Sequence, residues 1–158
     1  MIKLKIPLFL IAASIILLSN VYAQEVRVTT DKTVYARAEK IKISISNERK
    51  DSIFSAAATA SPEEAISNFE KKRTPLTWDA FPTRCRGLGC KDDVGEPQEI
   101  AAGEQVSFLW KPSIYMKKPT SVPEPGTYRL TIIFQVKKNA GSSGIIWNTA
   151  KSNEFVLQ

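Results

Sequence analysis

Residues 40–47 read Lys-Ile-Lys-Ile-Ser-Ile-Ser-Asn. Ile41, Ile43 and Ile45 fall on every second position, with Lys42, Ser44 and Ser46 between them. A strand points successive side chains to opposite faces, so this period yields one apolar face and one wet face. A helix would scatter the same three isoleucines around its surface. The period returns more strongly at 128–137. There Tyr128, Leu130, Ile132, Phe134 and Val136 alternate with Arg129, Thr131, Ile133, Gln135 and Lys137. Val106, Phe108 and Trp110 share one face of a third segment, and Val26 and Val28 share one face of a fourth.

Turn residues separate these segments. Asn47–Asp51 is a polar turn, Pro125-Gly126 marks the entry to the strongest strand, and Asn139–Gly144 is a glycine-serine loop. Ser52–Ala57 reads as a further strand, as do Asn68–Lys72 and a bulged final segment, Ile145–Gln158, that ends on inward Phe155 and Leu157. Ser61-Pro62-Glu63-Glu64 has an N-cap, a first-turn proline and a capping-box glutamate, enough for one short helical turn. Trp78 and Phe81 are expected to plug the core, with Pro75 and Pro82 favouring irregular or edge structure around them. The expected fold is all-β, a two-sheet antiparallel sandwich of about seven strands with long loops. Five inward residues from Tyr128 to Val136, each worth roughly 1.5–3 kcal/mol when buried, would put that strand at the centre of the core.

The first 23 residues read as a signal peptide rather than as part of the fold. Lys3 and Lys5 precede an apolar run, Ile6–Leu18, and Val21-Tyr22-Ala23 supplies small residues before a cut. Pro7, Ser14, Ser19 and Asn20 interrupt the longer stretch Ile6–Ala23, which disfavours a retained anchor. The expected organisation is a signal at 1–23 and one sandwich domain at 24–158, periplasmic or secreted, with no stable membrane span after cleavage. The formal charge is +6, two units of it on Lys3 and Lys5. The remaining basic residues are scattered in short pairs, whereas nucleic-acid binding needs a clustered patch.

The chain contains no histidine, which removes the commonest general base and metal ligand. Its two cysteines, Cys85 and Cys90, enclose Arg86-Gly87-Leu88-Gly89. In an oxidising compartment such a pair is expected to form a disulfide. Closing so short a ring contributes about 2 kcal/mol in the chain-entropy model. Asp92, Asp93 and Glu96 lie nearby, but adjacent acids in a loop are most often solvated charge, and calcium needs converging oxygens. No cofactor is expected.

The segment Thr30-Asp31-Lys32-Thr33-Val34-Tyr35, followed by the isoleucine strand and Asn47, resembles the entry of bacterial immunoglobulin-like domains and macroglobulin-type modules. Arg37-Ala38 stands where those families usually carry Pro-Gly. Pro125–Leu130 (PGTYRL) and Ser152–Phe155 (SNEF) resemble the last two strands of such domains. The resemblance implies that the sandwich is immunoglobulin-like and that Tyr128 acts as a tyrosine corner, its ring in the core and its hydroxyl tied to backbone. It carries no catalytic residues.

Three function classes follow. The first is a non-enzymatic module that binds another envelope or extracellular protein through end loops or a sheet edge. Tyr115, Met116 and Lys117 in one loop, and Ile146 and Trp147 beside another, are the candidate binding residues, because interfaces favour such side chains. The competing reading of Tyr115 and Trp147 is that they close the ends of the core. The second class is an inhibitor of an extracellular or periplasmic hydrolase, presenting the Cys85–Cys90 loop pre-organised for docking; proteinase-inhibitor-like modules resemble this chain in fold. A structural or adhesive surface role is a further alternative. An enzyme is disfavoured: serine-lysine or paired-carboxylate chemistry needs no histidine, but no such constellation stands out.

Overall fold

The computed structural model describes residues 25–55, 65–83, 97–113, 122–136 and 146–158. These residues form eleven strands in two open sheets and no α-helix. The smaller sheet has the order β1-β3-β8, from Val26–Thr30, Ile41–Asn47 and Gln105–Trp110. Both of its pairings are antiparallel and in continuous register. The alternation in β3 is realised in full: Ile41, Ile43 and Ile45 are buried, and Lys42 points outward.

The larger sheet is built on β9, Gly126–Val136. One flank of β9 pairs with β11 (Phe155–Leu157) and then β10 (Ile146–Lys151). The other flank pairs with β5 (Ile66–Lys72) and then β4 (Ile53–Ser55). Beyond these lie β6 (Trp78–Pro82) against β5, β7 (Gln98–Ile100) against β4 and β2 (Val34–Tyr35) against β11. Tyr128, Leu130, Ile132 and Phe134 from β9 join the isoleucines of β3 in a single buried cluster.

Aromatic rings tie the layers together. Phe69 stacks on Tyr128 with centroids 4.4 Å apart and planes 6° from parallel. It also meets Trp110 of the opposite sheet edge-on at 5.2 Å and Phe155 at 6.4 Å. Such pairs add to the area that the rings bury. Gly126 opens β9 at a φ of 154°, and a Cβ there would meet Lys71 Cε at 2.9 Å. Gly103, at a φ of 77°, makes the Ala101–Glu104 turn into β8, closed by Glu104 N donating to Ala101 O at 3.1 Å.

Four expectations change. The described residues form eleven strands rather than about seven, because segments that read as continuous are broken and short edge strands carry too few residues to show a period. The final segment splits at Ser152–Glu154. There Ser152 Oγ accepts from Leu130 N at 2.9 Å, so a side chain replaces a ladder hydrogen bond and the strand bends. The sheets are not purely antiparallel, since β2 runs parallel to β11. Strand β5 begins earlier than Asn68 and contains a register shift between Ile66 and Asn68, which buries Ser67 with its hydroxyl donated to Thr131 O at 3.0 Å. Trp78 is half-buried on the outer face of β6 rather than in the core, while Phe81 does pack against the core. The Ser61–Glu64 helical turn lies outside the described residues.

The Asp31-Lys32-x-x-Tyr35 motif closes the crossing from β1 in one sheet to β2 in the other. Tyr35 is buried, and its hydroxyl donates to Asp31 Oδ1 at 2.8 Å while accepting from Lys32 N at 2.7 Å. Lys42 N also donates to Asp31 Oδ1, at 3.1 Å. Asn153 joins the knot: Thr30 N donates to its Oδ1 at 2.8 Å, and its Nδ2 donates to Thr30 Oγ1 at 2.9 Å. The first and last sequence motifs thus meet at one end of the molecule.

Burial raises the Asp31 carboxyl, but the Tyr35 hydroxyl and the Lys42 amide outweigh it, and the pKa lies below its ordinary 3.8. A depressed folded-state pKa gives stability that is fully present above the unfolded value and is lost as pH falls through the folded one. Wild-type stability is therefore expected to decline as pH drops below about 4. Asp31→Asn should cost stability at neutral pH, with the gap to wild type narrowing toward about pH 2 in thermal melts. A gap independent of pH would contradict this role.

Candidate binding surface on the outer face of the larger sheet

The alternation that buries Tyr128, Leu130, Ile132 and Phe134 turns Arg129, Thr131, Ile133 and Gln135 to the opposite face of β9. The register fixes their neighbours. Gln135 lies between Phe54 of β4 and Trp147 of β10, and Ile133 lies beside Thr149. The result is a short stripe crossing three strands, in which Phe54 and Trp147 flank Gln135 and Ile133 stands two residues along β9, with Trp147 exposed at 53% and Phe54 and Ile133 half-exposed. Trp147 thus stands on the surface and does not close the core. Its indole is held by a strand paired over six residues, so little backbone freedom would be lost on binding.

The other end of this face carries charge that is internally matched. Arg129 pairs with Glu70 and places its guanidinium 3.9 Å from the Trp78 ring centroid. Glu70 Oε1 accepts from Thr131 Oγ1 at 3.0 Å, and Lys151 Nζ approaches Glu70 at 3.9 Å. Lys72 Nζ lies 5.5 Å from the same indole centroid and donates to both Glu154 oxygens, at 2.9 and 3.0 Å. Trp78 is in contact with two cations that already have acidic partners, so this end reads as structural.

The Tyr128 ring is buried, and its hydroxyl donates to Glu124 O at 2.6 Å. Burial pushes its pKa up. Ile146 opens β10 opposite Val136. Tyr115, Met116, Lys117, Cys85 and Cys90 lie outside the described residues. Among the described residues no group of three or more His, Cys, Asp or Glu could hold a metal ion, and no helix is long and apolar enough to cross a membrane.

No known protein family and no curated protein matches this chain. The surface must be read from its own residues. Phe54 and Ile133 escape a sequence reading centred on loops, because both sit inside strands. Ile133 left a signal nonetheless: it is the one apolar residue among the outward positions 129, 131, 133 and 135.

A separate structural centre also escaped it. Asn47, 1% exposed at the end of β3, donates through Nδ2 to Asp51 O at 3.0 Å, Ile100 O at 2.9 Å and Ala101 O at 3.0 Å. Its Oδ1 accepts from Arg49 N at 3.1 Å. One side chain therefore joins the turn after β3 to the segment between β7 and β8, and it does not contribute to the surface.

Proposed function

We propose that the chain is an exported, non-enzymatic protein-binding module of the cell envelope, an immunoglobulin-like sandwich that engages its partner through the Phe54–Ile133–Trp147 stripe. The observation that carries this reading is the exposed indole of Trp147 on a firmly paired strand. Tryptophan in such a setting offers a large contact area at low entropic cost, the profile of an interface anchor. The division of the first strands between the two sheets, the parallel β2–β11 pair and the Tyr128–Glu124 hydrogen bond support the immunoglobulin-like assignment. The basic, apolar and small-residue sequence of residues 1–23 supports export.

Trp147→Ser separates binding from folding. An exposed side chain away from the core is expected to change stability by only about 0.5 kcal/mol. Loss of an interface anchor weakens binding by about thirtyfold or more. Affinity capture from an envelope extract should recover a partner with the wild-type chain and lose it with Trp147→Ser, while thermal melts stay close. Equal recovery by both proteins would remove the stripe from consideration. Export is checked by N-terminal sequencing of the protein from the periplasmic or extracellular fraction, where the first residue should be Gln24.

A further inference from the structure

We propose that the segment taken by the Phe54–Trp147 face is a proline-rich peptide in the polyproline II conformation, with a basic residue at the end that reaches Glu99. The inference rests on the protein-binding reading of that face and names the chemistry of the partner. Register places the residues. Glu99 of β7 pairs with Phe54 of β4, Phe54 with Gln135 of β9, and Gln135 with Trp147 of β10. The chain neighbours Ile53, Ile100 and Phe134 are buried. Glu99, Phe54, Gln135 and Trp147 therefore stand in one row on the outer face, running across the strands.

Adjacent strands lie about 4.8 Å apart, which sets Phe54 and Trp147 about 9.6 Å apart across Gln135. A polyproline II helix repeats every third residue and rises about 3.1 Å per residue, so prolines one turn apart are spaced by about 9.3 Å. Two such rings would meet half-exposed Phe54 and exposed Trp147 together. A ligand on a sheet face cannot join the strand ladder, so its backbone groups go to water or to side chains. Polyproline II suits this position, because it has no internal hydrogen bonds and its carbonyls stay solvated. Among the described residues the Gln135 amide has no hydrogen-bond partner, and it can donate to such a carbonyl from between the two rings. The Trp147 indole N–H is a second donor. A helix would instead set apolar side chains on Gln135. Proline-rich segments dock on aromatic surfaces of this kind, and their preformed helix loses little entropy.

Charge assigns the end of the ligand. Glu99 is exposed one strand beyond Phe54, and among the described residues no cation pairs with it. Glu70 and Glu154, at the other end of the sheet, already hold Arg129 and Lys72. An arginine or lysine following the proline that meets Phe54 would reach the Glu99 carboxylate.

Fluorescence anisotropy of a labelled oligoproline ending in arginine, titrated with the protein, provides the test. A glycine-serine peptide of equal length with the same end controls for charge alone. Wild type should bind the oligoproline and not the control. Trp147→Ser should weaken binding about thirtyfold or more. Glu99→Lys should weaken it about fivefold at low salt and turn the preference toward an oligoproline ending in glutamate. Far-UV circular dichroism and thermal melts are the fold controls, and if one variant fails them the other decides. Absence of binding by wild type, equal binding of the two peptides, or binding unchanged in either folded variant overturns the proposal. So does self-association of wild type that Trp147→Ser abolishes, which gives the face to a second copy. Envelope capture separates this inference from the reading beneath it. Capture that still depends on Trp147 when the oligoproline does not bind removes the proline-rich partner alone, and loss of both removes the binding face.

Discussion

Replacing Phe69 by alanine is expected to destabilise the protein by about 3–5 kcal/mol, the largest effect of any single side-chain truncation proposed for this fold. Phe69 is 0% exposed and contacts aromatic rings in both sheets. Its removal leaves Tyr128 and Trp110 facing a void that the surrounding strands can fill only partly, because β5 is held by β6 on one side and β9 on the other. Domains of this size have a total stability of about 5–15 kcal/mol, so the variant should lie near the threshold of folding. Urea denaturation checks this directly. Phe69→Leu keeps most of the volume and should lose clearly less. A Phe69→Ala midpoint close to wild type would mean that the two layers do not meet at this ring.

Asn47→Ala is the second large effect, expected at about 3 kcal/mol, with the melting temperature lower by about 10 °C. The cost arises from what is left behind. Asp51 O, Ile100 O and Arg49 N each lose this amide as a partner, and Ala101 O is left with Glu104 N alone. Water can reach the outer members of this group, which keeps the total below four full desolvation penalties. Asn47→Asp sharpens the test. A carboxylate cannot donate to three carbonyls, and burial beside them would hold it protonated in the folded state. Its folded pKa would then exceed the unfolded value, so stability is retained below about pH 4 and lost as pH rises above it. Denaturation of Asn47→Asp should therefore weaken from pH 4 to pH 7. Asn47→Ala should show no such added trend.

The core was legible in the sequence because burial on one face writes a period of two. Ile41, Ile43 and Ile45 and the inward residues of β9 need no further information to be placed. Edges and ends were less legible. Strands β2 and β7 have two and three residues, too few for a period. Ser152 breaks the last strand through a side-chain hydrogen bond to Leu130, a contact twenty-two positions away that no local pattern encodes. The sequence misplaces Trp78 in the core and leaves Trp147 open for a related reason. A large apolar residue near a loop can plug a core or stand on a surface, and only the register against β5 and β9 decides. Asn47 was visible as the polar end of an isoleucine strand, but its four partners come from both its own turn and the Ile100–Ala101 segment.

Hydrogen–deuterium exchange tests the two-layer packing most directly. If β3 and β9 form the facing centres of the two sheets, the amides of Ile43, Ile45, Leu130 and Ile132 should be protected to the full free energy of global unfolding, moving together with denaturant. Exchange at those four positions as fast as in the exposed Arg73–Thr77 turn would contradict the shared core.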